Sequence, residues 1–122
     1  MRTIENRTED MIPNALNALL GIALIMMPWY LDLGSTSVAA RNASACGIAI
    51  AMLAALAVGK SYDWEEAITF AMGLWVSVAP WVLGFTDSAA TTWGHVGIGL
   101  SVAALAAFEL WRLFVSPQAH SV

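Results

Sequence analysis

Long uncharged stretches alternate with short charged segments along this chain. Four stretches contain no Lys, Arg, Asp or Glu, at residues 11–31, 42–59, 67–86 and 88–108. An α-helix rises about 1.5 Å per residue, so about 20 apolar residues cross a hydrocarbon core of roughly 30 Å. The pattern therefore predicts four membrane-spanning helices, at residues 13–33, 38–59, 64–86 and 90–114.

Composition excludes the alternative of a soluble helical protein. Soluble helices carry a polar stripe with a period of 3.6 residues, but the segment from Gly47 to Val58 has no polar face. Hydrophobic residues make up 59% of the chain and charged residues 11%, against about 25% charged in typical soluble domains. The predicted fold class is all-α, a four-helix transmembrane bundle without β-sheet.

The predicted spans divide the chain into two helical hairpins with short polar flanks. The first span is expected to be retained, because its leader mixes acids with arginines and its apolar run exceeds that of a signal peptide. The predicted segments are an N-terminal tail at 1–12, a first hairpin at 13–59, a loop at 60–63, a second hairpin at 64–114 and a C-terminal tail at 115–122.

The two hairpins are related by an internal repeat. A shift of 52 residues aligns 14–58 with 66–110 without a gap and superposes Pro28-Trp29 on Pro80-Trp81. The Pro-Trp pair carries the alignment, because both residues are rare and fall at the same depth in each hairpin. Each unit contains two helices, so both units are predicted to enter the membrane in the same orientation, related by an axis along the membrane normal.

These residues resemble the SPW-repeat family of small bacterial membrane proteins, whose repeat is a helical pair with Ser-Pro-Trp in its first helix. The nearest match is residues 73–85, and Met27 and Ala79 replace the serine of the motif. The family's Trp-Asn pair at the entrance of the second helix is divided here between Asn42 and Trp93. The resemblance implies the topology of two helical pairs and carries over no catalytic residue.

The Pro-Trp pairs have two physical interpretations. Proline removes a helical hydrogen bond, so Pro28 and Pro80 are expected to loosen the last turns of their helices, with Trp29, Trp81 and Trp93 forming an aromatic belt at the headgroups. The alternative is a kink that shapes a small cavity or a surface for a partner.

Small residues recur at every fourth position of the second and fourth predicted spans. Small faces let membrane helices approach closely, so these stripes are candidates for the bundle core, with a lipid-facing dimer contact as the alternative. The stripe residues are Gly47, Ala51 and Ala55 in one helix and Gly99, Ala103 and Ala107 in the other.

His95 is the only titratable side chain well inside a predicted span. Ionisable groups within the membrane are functional candidates, yet His95 lies within two turns of the helix end. We expect a structural role in which the imidazole bonds a backbone carbonyl or a hydroxyl. Proton, metal or ligand binding is the alternative.

Glu65 and Glu66 follow Asp63 where the third span begins. Adjacent helical residues point in different directions, so this pair does not predict acid–base chemistry. The sequence instead predicts a capped and solvated helix terminus.

The distribution of cations predicts the orientation. An even number of spans places Arg2, Arg7, Lys60 and Arg112 on one side and only Arg41 on the other. Cytoplasmic segments are enriched in Lys and Arg, so both termini are expected in the cytoplasm. The family resemblance implies that the membrane is the bacterial cytoplasmic (inner) membrane.

No catalytic, cofactor-binding or metal-binding residue is predicted. The net charge of −4 argues against a nucleic-acid partner, and the lone Cys46 excludes an intrachain disulfide. The favoured function is a non-catalytic structural or accessory subunit, surrounded by lipid and packing as a homo-oligomer or in a larger membrane complex. The alternatives are a small transporter or channel, and a ligand-sensing module with a site near the Pro-Trp helix ends.

Overall fold

Four helices and three short strands make up the computed structural model, which describes residues 2–5, 11–30, 37–58, 60–86, 89–115 and 120–121. All four helices are long and apolar enough to span a membrane, which confirms the predicted four-helix bundle. The helices are α1 (Ile12–Tyr30), α2 (Val38–Ala57), α3 (Asp63–Leu83) and α4 (Ala89–Val115). The strands are β1 (Arg2–Glu5), β2 (Lys60–Tyr62) and β3 (His120–Ser121).

Local chemistry sets several helix boundaries. Ser37 precedes α2, and its hydroxyl accepts a hydrogen bond from the Ala40 amide at 3.1 Å, which satisfies a donor of the first turn. Gly84 has φ +76°, a left-handed conformation that favours glycine, and it ends α3 at Leu83 instead of the predicted residue 86. The predicted continuation of the first span over 31–33, the predicted end of the second at Gly59, and Arg7 all lie outside the described residues.

The strands correct the expectation that no β-sheet is present. β1 pairs antiparallel with both β2 and β3, so Thr3 lies opposite both Tyr62 and His120. The sequence predicts these segments as parts of the two tails and the loop, because runs of two to four residues are too short to show an alternating pattern. The sheet joins the N-terminal tail, the central loop and the C-terminal tail at one end of the bundle.

The two hairpins bury matching positions. Every buried residue of α1 becomes a buried residue of α3 when 52 is added to its number. The buried positions of α2 match those of α4 in the same way, except that Cys46 corresponds to the half-buried Ile98. The buried pairs of α1 and α3 are Asn14/Glu66, Asn17/Thr69, Gly21/Gly73, Leu24/Val76, Met27/Ala79 and Pro28/Pro80.

Glycines bring the two helices of each hairpin into backbone contact. A Cβ atom on Gly21 would lie 2.7 Å from the Ala51 nitrogen and 2.8 Å from the Gly47 oxygen. In the second hairpin, a Cβ on Gly73 would lie 2.6 Å from the Ala103 nitrogen and 2.8 Å from the Gly99 oxygen. Real Cβ atoms do not tolerate such distances, so each hairpin requires glycine here.

The small-residue stripes are therefore only partly in the core. Gly47 and Gly99 are buried and Ala51 and Ala103 contact the facing glycines, but Ala55 and Ala107 are exposed. A step of four residues turns about 400° around a helix, so a stripe with this spacing winds by about 40° per step. That drift carries Ala55 and Ala107 out of the hairpin contact, which corrects the prediction for these two residues.

Candidate functional site

The Pro-Trp pairs place one residue inside the bundle and one outside. Pro28 and Pro80 are buried, whereas Trp29 is 71% exposed and Trp81 60% exposed. Both pairs lie in the last turns of their helices, at the end of the bundle opposite the sheet. The tryptophans thus present their rings outward at one level of the molecule, as an aromatic belt requires.

The other motif residues do not join the Pro-Trp pairs in a single site. Trp93 is 70% exposed near the start of α4. Asn42 on α2 instead accepts hydrogen bonds from the Trp75 indole nitrogen at 2.9 Å and from the Cys46 thiol at 3.5 Å. The Asn42 side chain therefore links α2 to α3 through Trp75, a contact that the sequence did not predict.

His95 is fully buried in α4, and its ring has a carbonyl partner. Nδ1 lies 3.0 Å from the Thr91 carbonyl oxygen, and because a carbonyl only accepts, Nδ1 carries the proton. The ring centroid is 4.8 Å from that of Phe85. Nε2 has no hydrogen-bond partner within the described residues. The expected carbonyl bond is present, which supports the structural interpretation of His95.

A buried polar cluster lies at the sheet end of the bundle, and the sequence analysis missed it. We call Asn14, Asn17, Glu66, Glu109 and Arg112 the inner polar cluster. Apart from Arg112, each of these residues is at most 1% exposed. Glu109 Oε2 accepts hydrogen bonds from Asn14 at 3.3 Å and from Arg112 at 2.7 Å, and Oε1 accepts from Arg112 Nε at 3.2 Å. Since Asn14 lies on α1 and Glu109 on α4, these bonds connect the two hairpins.

Other members of the inner polar cluster have unpaired atoms. Within the described residues, neither polar atom of the Asn17 side chain has a hydrogen-bond partner, nor does Glu66 Oε2. The Glu66 carboxyl interacts electrostatically with Glu109, Glu65 and Arg112. Buried polar atoms without a hydrogen-bond partner cost free energy. The inner polar cluster therefore contains both stabilising hydrogen bonds between the hairpins, at Glu109, and destabilising unpaired atoms, at Asn17 and Glu66.

The sequence predicts a capped and solvated helix terminus at Glu65 and Glu66, and the predicted solvation is wrong. Glu65 is 3% exposed and Glu66 1%. The Tyr62 side chain does not cap α3, but the Glu65 carboxyl accepts a hydrogen bond from the Tyr62 backbone at the start of the helix. Glu66 is buried where α4 packs against α3, and its carboxyl interacts electrostatically with Glu109 and Arg112 of α4. A signal was present in the sequence, since the 52-residue shift aligns the polar Asn14 with Glu66 and the polar Asn17 with Thr69.

A cavity of about 410 Å³ lies between the last turns of α1 and the first turns of α4. We call it the α1–α4 crevice. It is lined chiefly by Ala23, Met26, Met27 and Tyr30 on α1 and by Gly94 and Ile98 on α4. Its lining is almost entirely apolar. The crevice adjoins the Pro-Trp end of α1, where the ligand-sensing alternative places a site.

Four apolar helices of spanning length define a multi-pass α-helical membrane protein. Among the described residues, no group of three or more His, Cys, Asp and Glu side chains is arranged to hold a metal ion. Within that class, the chain belongs to the SPW repeat family, since the model of the SPW repeat domain matches residues 11–109. The chain matches no curated protein and no solved structure with which it was compared.

Proposed function

We propose that this SPW repeat protein is a non-catalytic structural or accessory subunit, which packs against a second copy of itself or within a larger membrane complex. The observation that supports this proposal is the large helix surface that the bundle itself does not bury. In an 18-residue stretch of each span, only 33% to 39% is buried within the chain's own bundle. The remaining surface is apolar, so it is covered by lipid or by another membrane protein.

The interior of the bundle supports this proposal over a transporter or channel. Leu24, Ile50, Val76 and Val102 are fully buried and close the middle of the bundle with apolar side chains. This apolar layer separates His95 from the inner polar cluster. Channels select polar solutes through polar or charged groups that line the pore, and this layer provides none.

Two serines of the spans, Ser77 and Ser101, donate hydrogen bonds within their own helices. The Ser77 hydroxyl donates to the Gly73 carbonyl of its own helix at 2.9 Å. Ser101 is exposed on the bundle surface and donates to the Gly97 carbonyl at 2.8 Å. The protons of both hydroxyls are therefore already used within the helices and are not available to donate to a solute.

We further propose the bacterial cytoplasmic membrane as the location, with both termini in the cytoplasm. The pairing of β1 with β2 and β3 places both tails and the central loop at one end of the bundle. Arg2, Arg7 and Lys60 occur in these segments, whereas Arg41 lies near the opposite end. This asymmetry follows the enrichment of cations in cytoplasmic segments.

Native mass spectrometry of protein extracted from its own membrane tests the proposed function. We expect an assembly of this chain in fixed stoichiometry, either with itself or with another membrane protein. An unrelated four-span protein with the same tag is the control for adventitious association. A monomer that also conducts ions or solutes when reconstituted into liposomes would contradict the proposal and favour the transporter.

A further inference from the structure

The α1–α4 crevice has a counterpart on the other side of the bundle. Adding 52 to the positions on α1 and subtracting 52 from those on α4 gives the corresponding positions of α3 and α2. By this relation Ala23 corresponds to Trp75, and Gly94 corresponds to Asn42. Trp75 and Asn42 are the two residues that form the hydrogen bond between α3 and α2 at 2.9 Å.

The two sides of the bundle therefore differ in a specific way. Between α3 and α2, the Trp75 indole extends across the gap to Asn42. Between α1 and α4, alanine replaces the tryptophan and glycine replaces the asparagine, so both bridging side chains are missing. The space that remains is the cavity of about 410 Å³. Met27 closes its inner wall, because a Cβ atom on Gly94 would lie 3.1 Å from the Met27 methyl group.

The length of the crevice and the polarity of its lining indicate which kind of ligand it can bind. It extends along α4 from Ala90 to Ile98, about 12 Å at 1.5 Å per residue. Among the described residues that line it, Tyr30 alone carries a hydroxyl, at the outer end of α1, where the side chain is 90% exposed. A narrow apolar chain with a polar head at the Tyr30 end fits these features.

We infer that the α1–α4 crevice binds one acyl chain of a membrane phospholipid, with its headgroup beside Tyr30. A tryptophan from a second copy fits less well. The indole N–H needs an acceptor, which Asn42 provides on the other side, whereas Gly94 has no side chain. An acyl chain has no such requirement. This inference does not depend on the proposed accessory role, since a subunit or a transporter could equally hold the lipid.

Photo-crosslinking in lipid vesicles tests the inference. The protein is reconstituted into phosphatidylcholine vesicles that contain a trace of phosphatidylcholine with a diazirine on one acyl chain. Adducts are then mapped by mass spectrometry. We expect adducts on residues 23–30 and 90–98 to exceed those on the corresponding residues 75–82 and 38–46 several-fold. Equal labelling of the two sides would overturn the inference.

Matched variants separate the crevice from the general lipid surface. Ala23→Trp copies the occupied side and should reduce crevice labelling to the level of residues 75–82. Ala45→Trp places the same ring at an exposed position of α2 and should leave crevice labelling unchanged. Crevice labelling that survives Ala23→Trp in a folded protein would contradict the inference.

A third variant opens the occupied side of the bundle instead of filling the crevice. It keeps the inference testable even if Ala23→Trp does not fold. Trp75→Ala removes the bridging indole and should raise adducts on residues 38–46 several-fold. Unchanged labelling there would count against the inference. A photo-reactive amino acid in place of Met26 tests the other occupant. If it crosslinks two copies of the chain, a second copy occupies the crevice instead of lipid, which would overturn the inference.

Discussion

Gly73 shows how one residue determines the spacing of a hairpin. Its missing side chain lets α3 approach the backbone of α4 at Ala103, and Gly21 does the same for α1 and α2 at Ala51. Membrane helices gain little from hydrophobic burial against each other, so their association depends on such close contact. The stability of the bundle is therefore expected to be sensitive to single methyl groups at these positions.

Gly73→Ala is predicted to destabilise the protein by about 1–3 kcal/mol, because the new methyl group would overlap the Ala103 backbone. Gly97→Ala is the matched control in the same hairpin, since a Cβ there meets nothing within 4 Å. Alanine favours helix more than glycine, so this control should be neutral or stabilising by up to about 1 kcal/mol. Unfolding by SDS in mixed micelles measures the free energy of unfolding of both variants. Equal effects would show that the backbones are not in contact.

His95→Asn is predicted to cost about 1 kcal/mol or less, comparable to other hydrogen bonds within membranes. An asparagine amide can still donate to the Thr91 carbonyl, although it loses the ring contact with Phe85. The corresponding residue of the first hairpin is Ala43, so the fold does not demand an imidazole. The same unfolding assay measures the cost. A loss of several kcal/mol would indicate that His95 does more than bond its own helix.

At the scale of elements, the inner polar cluster connects the hairpins at the sheet end. Glu109→Leu is predicted to destabilise the bundle by about 3 kcal/mol, because Arg112, with a side chain only 13% exposed, loses its ion pair. The double variant Glu109→Leu/Arg112→Leu should cost less than the single Glu109→Leu. A double-mutant cycle measures this coupling. Additive effects of the two substitutions would mean that the ion pair contributes nothing.

The sheet provides a second test at this scale. Thr3 lies directly opposite Tyr62 in the antiparallel pair, at a Cα separation that suits a disulfide. Cysteines at these two positions, in a background with Cys46→Ala, are predicted to crosslink on mild oxidation. A Thr3→Cys/Thr86→Cys pair is the control, because these residues lie at opposite ends of the bundle. Gel mobility after oxidation reports the crosslink, and its absence in the Thr3/Tyr62 pair would contradict the strand register.

The elements differ in how far the sequence could predict them. The spans were predictable because each is an uncharged stretch of membrane-crossing length, and Gly84 explains why α3 ends before residue 86. The strands could not be predicted from the sequence, because β3 has only two residues and pairs with a strand that is distant in sequence. Burial of Glu66 was missed for a similar reason: its neighbours along the chain indicate a solvated terminus, whereas packing against other helices buries it.

At the scale of the whole molecule, the two hairpins share a backbone arrangement but differ in side chains at both ends of the bundle. The glycine contacts are the same in both, so the backbone arrangement is shared. The differences concern side chains that line the gaps between hairpins: Ala23 for Trp75, Gly94 for Asn42, and Asn14 for Glu66. The gap between α3 and α2 is bridged by Trp75, whereas the gap between α1 and α4 contains the α1–α4 crevice.

The parallel orientation of the hairpins is the central claim, and cysteine accessibility tests it most directly. Single cysteines at Ser61, His120 and Thr86, in the Cys46→Ala background, are labelled with a membrane-impermeant maleimide in right-side-out and inverted vesicles. We predict that Ser61 and His120 react from the cytoplasmic face and Thr86 only from the opposite face. Labelling of Ser61 and His120 from opposite faces would show that the second hairpin is not a complete pair of spans, and would contradict this arrangement.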